Sequence, residues 1–144
     1  MHTIKIRQCV LMLENIEIYI KYSNYNIREL FNLLSSNKSI DKLDFIHIIL
    51  DRINAHDEFT NICDDVFKDR KSISNFSLEE IDLLKGFFSC LGQTDINGQI
   101  SNCKTYKELF KSRLNILEAQ EKTKCKSQMA LSLGIGLILS IMIL

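Results

Sequence analysis

The C-terminal end of the chain constrains its structure most. Its last sixteen residues, 129–144 (MALSLGIGLILSIMIL), contain no charged side chain, no amide side chain and no proline, and Lys122, Lys124 and Lys126 stand just before them. As a helix this run covers roughly 24 Å of a hydrocarbon core about 30 Å thick, and the preceding polar residues or local thinning of the bilayer can supply the rest. The sequence therefore predicts a C-terminal transmembrane anchor over 129–144. The alternative is a buried core helix.

The lysines of this membrane flank also predict the orientation of the chain. Basic residues next to a membrane helix stay on the cytoplasmic side, so residues 1–128 are expected to form a cytoplasmic domain. Within the anchor, Ser132, Gly136 and Ser140 recur every four residues and share one helix face. Such small residues let a second membrane helix approach closely, although they are also common in membrane helices generally. We therefore treat this anchor packing stripe as a possible contact with a partner helix.

The composition of the cytoplasmic part favours helices. The chain has no proline, and Gly86, Gly92 and Gly98 are the only glycines before residue 129. A β-rich domain normally needs more turn residues. We expect an all-α protein, an antiparallel bundle of about six helices within residues 1–128, followed by the transmembrane helix.

The charge is zero overall but unevenly spread. Residues 1–40 carry a net +2, residues 41–95 a net −6 and residues 96–144 a net +4. The chain lacks the overall basic excess that is typical of nucleic-acid-binding proteins. The basic C-terminal section suits an anionic membrane surface. The acidic middle, residues 41–95, can either meet a basic partner or form a solvated face.

No pattern in the sequence predicts catalysis. The five cysteines form no CxxC pair, and this pattern predicts the reduced thiols of a cytoplasmic protein. No histidine has a second potential metal ligand three or four residues away. The adjacent carboxylates, such as Glu79 and Glu80, are predicted to lie on solvent-exposed helix faces. The chain has neither a glycine-rich phosphate loop nor a Gly-x-Ser-x-Gly motif. We expect no enzyme activity, no cofactor, no metal and no small-molecule substrate.

Apolar residues at spacings of three and four predict the first four helices. A cap at Asn26, with Glu29 three residues later, predicts the start of the second helix. The segments 35–39 and 68–75 are polar and predict loops, the latter exposed. The predicted buried faces of the four helices are Ile6, Cys9, Leu13, Ile16 and Ile20; Ile27, Leu30, Phe31 and Leu34; Leu43, Ile46, Leu50 and Ile53; and Phe59, Ile62, Cys63, Val66 and Phe67.

The fifth and sixth helices have clearer boundaries. Ser77 and Glu80 form a capping box for the fifth, flanked by a hydrophobic staple of Phe76 and Ile81. No helix breaker follows Ile96, so one helix about 70 Å long is expected from there to residue 144. The predicted buried face of the fifth helix is Leu78, Ile81, Leu84, Phe88 and Leu91. In the sixth, a roughly seven-residue register is formed by Ile100, Cys103, Phe110 and Leu117, with Tyr106 and Leu114 between them.

The turn between these two helices contains more than a turn requires. A tight turn needs Gly92 and a helix cap such as Asp95, but not Gln99 one turn later. Two interpretations are open: a purely structural turn, or a tertiary lock or partner contact. We retain the residues of this turn motif, Leu91, Gly92, Thr94, Asp95 and Gln99, as a candidate contact or structural motif.

The same residues carry a resemblance to a known family. The pattern Leu91-Gly92-x-Thr94-Asp95-x-x-x-Gln99, then a long charged helix, then Ser132-Leu133-Gly134 opening an apolar tail, resembles stage III sporulation protein AB. The segment from Arg7 to Tyr19 is similar to the family's opening helix. The resemblance extends over residues 5–144 and is strongest over 91–144.

The resemblance implies a function that the residues alone do not. The family belongs to the sporulation channel that joins the mother cell to the forespore, and it is similar to the F-type platform proteins of type II secretion. The resemblance implies a structural role that is needed for endospore formation, and a location in the mother-cell membrane surrounding the forespore. The implied partners are a secretion-type cytoplasmic ATPase and other membrane proteins of the channel.

Two points qualify this expectation. The family usually opens with its own transmembrane helix, and this sequence begins at Met1-His2 without one, so either the start lies downstream of that helix or this member relies on the C-terminal anchor alone. The alternative function is a tail-anchored helical adaptor unrelated to secretion, which would leave sporulation intact when lost.

Overall fold

The structure is a computed structural model that describes the backbone of residues 1–143 and the side chains of residues 1–126. The described chain contains six α-helices, one 3-10 turn at Lys38–Ile40 and no strand. This confirms the all-α class and the expected number of helices. The helices are α1 (His2–Tyr22), α2 (Ile27–Ser35), α3 (Asp44–Asn54), α4 (Phe59–Lys68), α5 (Leu78–Cys90) and α6 (Ile96–Ile143).

The first and last helices pack against each other in opposite directions. Thr3 near the start of α1 donates a hydrogen bond to Glu121, and Arg7 pairs with Glu118 at 2.9 Å. Near the other end of α1, Glu17 lies 3.5 Å from the Lys107 amine. The buried residues of α6 in this contact are Cys103, Phe110 and Leu117. The predicted seven-residue register is therefore confirmed for these three positions, and Ile100 is half-buried.

The other helices close the bundle in chain order. Helix α2 packs on α3, α3 on α4, α4 on α5, and α5 returns to α6. Phe88 lies at the centre, because its ring centroid is 5.1–6.1 Å from those of four other phenylalanines. Offset and edge-on aromatic contacts of this kind add stability beyond the buried area. The four neighbours of Phe88 are Phe31, Phe45, Phe67 and Phe87.

Both predicted capping boxes are present. At the start of α2 the Asn26 side chain accepts from the Glu29 N–H at 2.9 Å, and Glu29 accepts from the Asn26 N–H at 3.2 Å. At the start of α5, Ser77 and Glu80 make the same reciprocal pair, at 3.2 and 2.8 Å. These pairs satisfy backbone donors that the first turn of a helix leaves free. The predicted starts of both helices are confirmed.

Two details of the predicted core were wrong. Leu78 is 74 % exposed, because the buried face of α5 is centred on Glu80, Leu84 and Phe87 and turns Leu78 towards solvent. The segment after α4 is a loop, but it is not wholly exposed. Its Ile73 is 4 % exposed and belongs to the hydrophobic core. An apolar side chain inside a polar segment gave no periodic signal, so the sequence alone did not reveal it.

The predicted anchor is the C-terminal end of α6. Within the described part of the chain, none of the helices combines the length and the hydrophobicity that a membrane span requires. The segment 129–144, with its packing stripe of Ser132, Gly136 and Ser140, lies outside the described side chains. The anchor remains a prediction.

Candidate docking surfaces

The turn motif between α5 and α6 is built around two anchored ends. Leu91 is 4 % exposed and belongs to the core, and Gly92 follows it with φ +79°. In this left-handed region a β-carbon is strained, which explains glycine at the point where the chain reverses. The next residues, Gln93 to Asn97, are exposed. The turn is therefore fixed at its base and accessible at its tip.

The polar residues of the turn motif bond to the turn itself. Asp95 caps α6 by accepting from the Gly98 N–H at 2.8 Å. The Gln99 side chain donates to the Thr94 carbonyl at 3.0 Å. Gln99 thus closes a local lock within the turn. The bond lies within the turn, so it fits the interpretation of a purely structural turn and accounts for Gln99, which a plain turn does not require. A partner contact at the exposed tip remains a prediction.

Gly98 has a role that the sequence did not reveal. A β-carbon at this position would lie 2.8 Å from Thr94 Oγ1 and 2.9 Å from Asp95 Oδ1, closer than van der Waals contact allows. As placed here, the side chains of Thr94 and Asp95 occupy the space that a β-carbon at position 98 would need, so one of them must shift to admit it. The spacing of Asp95 and Gly98 could not have suggested this, since the caps at Asn26 and Ser77 each have a glutamate as the third residue after them.

The acidic middle is partly neutralised by its own basic residues. Arg52 pairs with Asp65 at 2.9 Å and with Asp57 at 3.0 Å, and the hydrogen bonds that it donates to these two carboxylates raise its pKa. Asp69 accepts from the Lys71 N–H and from the Ser72 hydroxyl, both at 3.1 Å, and so shapes the loop after α4. Asp64, by contrast, is exposed on α4. Asp64 is therefore a better position than Asp57, Asp65 or Asp69 at which to test the binding of a basic partner.

A buried polar cluster joins the start of α1, the start of α5 and the middle of α6. The Glu80 side chain is 0 % exposed and accepts from Arg113 Nε at 2.8 Å. His2 Nε2 lies 2.6 Å from Glu80 Oε1, and the Ser77 N–H donates to the same oxygen at 2.8 Å. Burial by itself raises the pKa of Glu80, but the hydrogen bonds from Ser77, Arg113 and His2 lower it below its usual value.

This cluster corrects the sequence analysis. Glu80 was expected on a solvated face with Glu79. Glu79 is exposed as predicted, whereas Glu80 is buried and meets two ionisable partners. The partners are 78 and 33 residues away along the chain, so no local spacing could predict the contact. The geometry fits a structural ion pair that fixes three helices against one another.

Two further polar side chains of α1 hold loops in place. Lys5, only 6 % exposed, donates to the Ser74 carbonyl at 2.9 Å and lies over the Phe76 ring at 5.8 Å. Gln8 donates to Asp41 at 3.0 Å and accepts from the Lys42 N–H at 2.8 Å. Helix α1 therefore positions the loop before α3 and the loop before α5. Sequence reasoning missed both contacts, because each joins segments that are distant in the chain.

The membrane flank lies at the far end of the described part of α6. Lys122, Lys124 and Lys126 are all exposed, so their amines are free to meet an anionic surface. The helix that carries them is the one that packs on α1 and α5, and its backbone continues to Ile143. The body and the predicted anchor thus share one helix.

The helix packing, the long-range polar contacts and the basic flank together indicate the class of protein. The molecule is a helical scaffold, held by long-range polar contacts, with a basic flank next to an apolar tail. The family model of stage III sporulation protein AB matches residues 1–144, and the chain belongs to this family of sporulation proteins. No curated protein and no solved structure matches the chain. The resemblance seen in the sequence is confirmed, and with it a role in sporulation.

Proposed function

We propose that this protein is a membrane-anchored structural component of the channel between mother cell and forespore. Its helical body acts as a platform that docks a secretion-type cytoplasmic ATPase beneath other membrane proteins of the channel. Family membership supports a place in stage III of sporulation. The proposal adds the anchor, the mother-cell membrane around the forespore as its location, and the partners.

The observation that carries the proposal is the layout of α6. Its N-terminal half packs on α1 and α5, its exposed lysines follow, and the uncharged residues 129–144 come last. Each lysine near an anionic leaflet contributes about 1 kcal/mol of attraction. A rigid body placed at the membrane surface by its own long helix suits a platform, since force applied to the body would pass directly to the anchor.

The anchor is tested by membrane extraction of the full chain. Leu139→Arg puts a charge into the predicted span, where arginine costs about 2.5–3.5 kcal/mol at the centre of a membrane helix. Leu109→Arg is the matched control, because Leu109 is 45 % exposed on the body of α6. We expect the unaltered chain and the control to remain in the membrane pellet after alkaline carbonate, and Leu139→Arg to be released. Release of the unaltered chain would overturn the anchor.

The ATPase contact is tested by pull-down from sporulating cells in mild detergent. We expect the tagged protein to recover the secretion-type ATPase and membrane proteins of the channel. Asp64→Lys should reduce recovery of the ATPase if the acidic middle docks it. Glu108→Lys, an exposed carboxylate on α6 outside the acidic middle, controls for the change in net charge. Asp69→Lys is unsuitable, because Asp69 shapes its own loop.

The outcomes separate the platform from its alternative. Equal recovery of the ATPase with Asp64→Lys and the unaltered chain would remove the surface around Asp64 from the contact. The turn motif would then be tested by Gln93→Arg at its exposed tip. Recovery of neither the ATPase nor channel proteins by the unaltered chain would favour a tail-anchored adaptor unrelated to secretion.

A further inference from the structure

The loop between α4 and α5 lies at the end of the bundle from which α6 continues towards the predicted anchor. The first turns of α1 show this, because they contact both elements. Lys5 donates to the Ser74 carbonyl of the loop at 2.9 Å, and Thr3 donates to Glu121 of α6. Glu121 stands eight residues before the uncharged segment 129–144, which is about 12 Å along the helix. The loop is therefore close to the predicted membrane surface.

This loop exposes basic side chains next to an apolar one. Lys68, Arg70 and Lys71 are exposed, and none of the three forms an ion pair with another described residue. Leu78 follows at the start of α5 and is 74 % exposed. An open groove of about 480 Å³ is lined by Arg70, Leu78 and Ile81 among others. We call Lys68, Arg70, Lys71 and Leu78 the loop patch. Basic side chains beside exposed leucine are typical of surfaces that lie in the membrane interface.

We infer that the loop patch is a second membrane contact, which binds the anionic surface of the bilayer that holds the anchor. The inference rests on the proposed function, because it takes the C-terminal anchor as inserted. Lipid headgroups occupy roughly 5–7 Å outside the hydrocarbon core. Attraction between exposed charges extends about 8 Å further at physiological salt. Together these ranges cover the distance of about 12 Å from Glu121 to the start of the anchor.

The charges of α4 are arranged as such a contact requires. Asp57 and Glu58 come just before its first residue, whereas Lys68 is its last residue and leads into the loop. The two ends of α4 are about 15 Å apart. Residues 41–95 carry a net charge of −6, yet three of their six basic residues belong to the loop patch. An anionic surface attracts this end of α4 and repels the other. The arrangement therefore favours a bilayer as the partner of the patch.

The acidic side chains beside the loop patch are engaged within the protein. Asp69 accepts from the Lys71 N–H and from the Ser72 hydroxyl, both at 3.1 Å. Glu79 lies 4.0 Å from Arg113 of α6. Neither carboxylate forms an ion pair with a basic side chain of the patch. These side chains therefore remain available to lipid phosphates.

Spin-label electron paramagnetic resonance of the full chain in nanodiscs tests the contact. Cys90 and Cys125 are first replaced by serine, because the other three cysteines are buried. Leu78→Cys then carries the label on the loop patch. Asn97→Cys is the matched control, since Asn97 is exposed at the start of α6, far from the anchor. The measurement compares collisions of the label with oxygen, which concentrates in the bilayer, and with a neutral nickel chelate, which stays in water.

In nanodiscs of phosphatidylcholine with phosphatidylglycerol, we expect the ratio of oxygen to nickel collisions to be several-fold higher at position 78 than at position 97. Arg70→Glu should lower the ratio at position 78 towards the control value, because it replaces an attracted charge by a repelled one. Lys21→Glu changes the net charge equally at the other end of α1 and should leave the ratio unchanged. Nanodiscs of phosphatidylcholine alone should have the same effect as Arg70→Glu.

Two results would overturn the inference while leaving the anchor in place. The first is an equal collision ratio at positions 78 and 97 in anionic nanodiscs that retain the chain. The second is a high ratio at position 78 that neither Arg70→Glu nor the loss of anionic lipid lowers, because the basic side chains would then not bind the surface. Failure of the unaltered chain to stay in the nanodiscs would instead overturn the anchor, and the loop patch contact with it.

Discussion

Arg113 Nε donates to Glu80 Oε2 at 2.8 Å, and the carboxylate it binds is completely buried. The two residues belong to α6 and α5, and His2 of α1 reaches the same carboxylate. A buried charge is costly unless its partners are in place, so removing one member leaves the others unsatisfied. The contact therefore reports on whether the first and the last helices are docked correctly.

Glu80→Gln should destabilise the bundle by about 3 kcal/mol, because it removes a buried charge from its partner Arg113 and weakens the capping box. The measurement is urea denaturation of the full chain in mild detergent, followed by circular dichroism. Glu79→Gln is the control one residue away, where the side chain is 82 % exposed. The control should change stability by less than about 0.5 kcal/mol. Equal effects of the two variants would contradict a special role for Glu80.

The same cluster predicts a loss of stability in acid. The folded-state pKa of Glu80 is lowered from its ordinary value of 4.5. A lowered pKa means that the folded state binds the proton less readily than the unfolded state, so this contribution is fully present at neutral pH. It is lost as the pH falls below about 4.5 and through the folded-state pKa. Denaturation midpoints from pH 7 to pH 3 should fall less steeply for Glu80→Gln than for the unaltered chain.

Capping motifs and apolar spacing predicted much of this fold, but they could not predict the burial of Glu80. The capping box named Glu80 correctly as the third residue of α5, because both partners of that contact lie within four residues. The same signal could not show that the side chain is buried. Its burial depends on Arg113, which reaches it from a helix later in the chain. Sequence periodicity reports which face of a helix is apolar, not which polar group lies inside it.

The turn motif, too, was predicted from the sequence only in part. Gly92 and the Asp95 cap were predicted from turn chemistry, and the structure places both in those roles. The bond from Gln99 to the Thr94 carbonyl follows from the path of the turn, which the sequence did not specify. Leu78 was misplaced because apolar spacing alone chose the face of α5. The buried residues of that face include a carboxylate, which an apolar pattern does not count.

The cysteines should differ sharply in reactivity. Cys125 is exposed and Cys90 is half-buried, whereas Cys9, Cys63 and Cys103 are buried. Burial raises the pKa of Cys63 and of Cys103 to about 12 and raises the pKa of Cys9 as well. Because the thiolate is the reacting form, these three thiols should be inert at neutral pH.

The measurement is mass spectrometry of the full chain after brief treatment with iodoacetamide. We expect Cys125 to be modified first, Cys90 more slowly, and the buried three only when urea is added. Glu80→Gln provides a comparison, since loosening of α1 should expose Cys9 earlier than in the unaltered chain. Modification of Cys63 at the rate of Cys125 in the folded chain would show that α4 does not pack as described.

Gly98→Ala gives the sharpest test of the turn, because two principles predict opposite signs. An exchange of glycine for alanine inside a helix normally stabilises by roughly 0.5–1 kcal/mol. Here the new methyl group would meet Thr94 Oγ1 at 2.8 Å and Asp95 Oδ1 at 2.9 Å and displace the cap of α6. Loss of such a cap costs about 1 kcal/mol. We expect the clash to prevail and the denaturation midpoint to fall.

Asn97→Ala is the control in the same turn of α6, where the side chain is exposed and the cap is untouched. It should leave the midpoint unchanged or raise it slightly, since alanine is the better helix former. Asp95→Ala removes the cap directly, and Gly98→Ala should add little to it. If Gly98→Ala instead stabilises the chain as much as a free helical position allows, the cap does not occupy the space next to Gly98, and the lock formed by Thr94, Asp95 and Gln99 is not rigid.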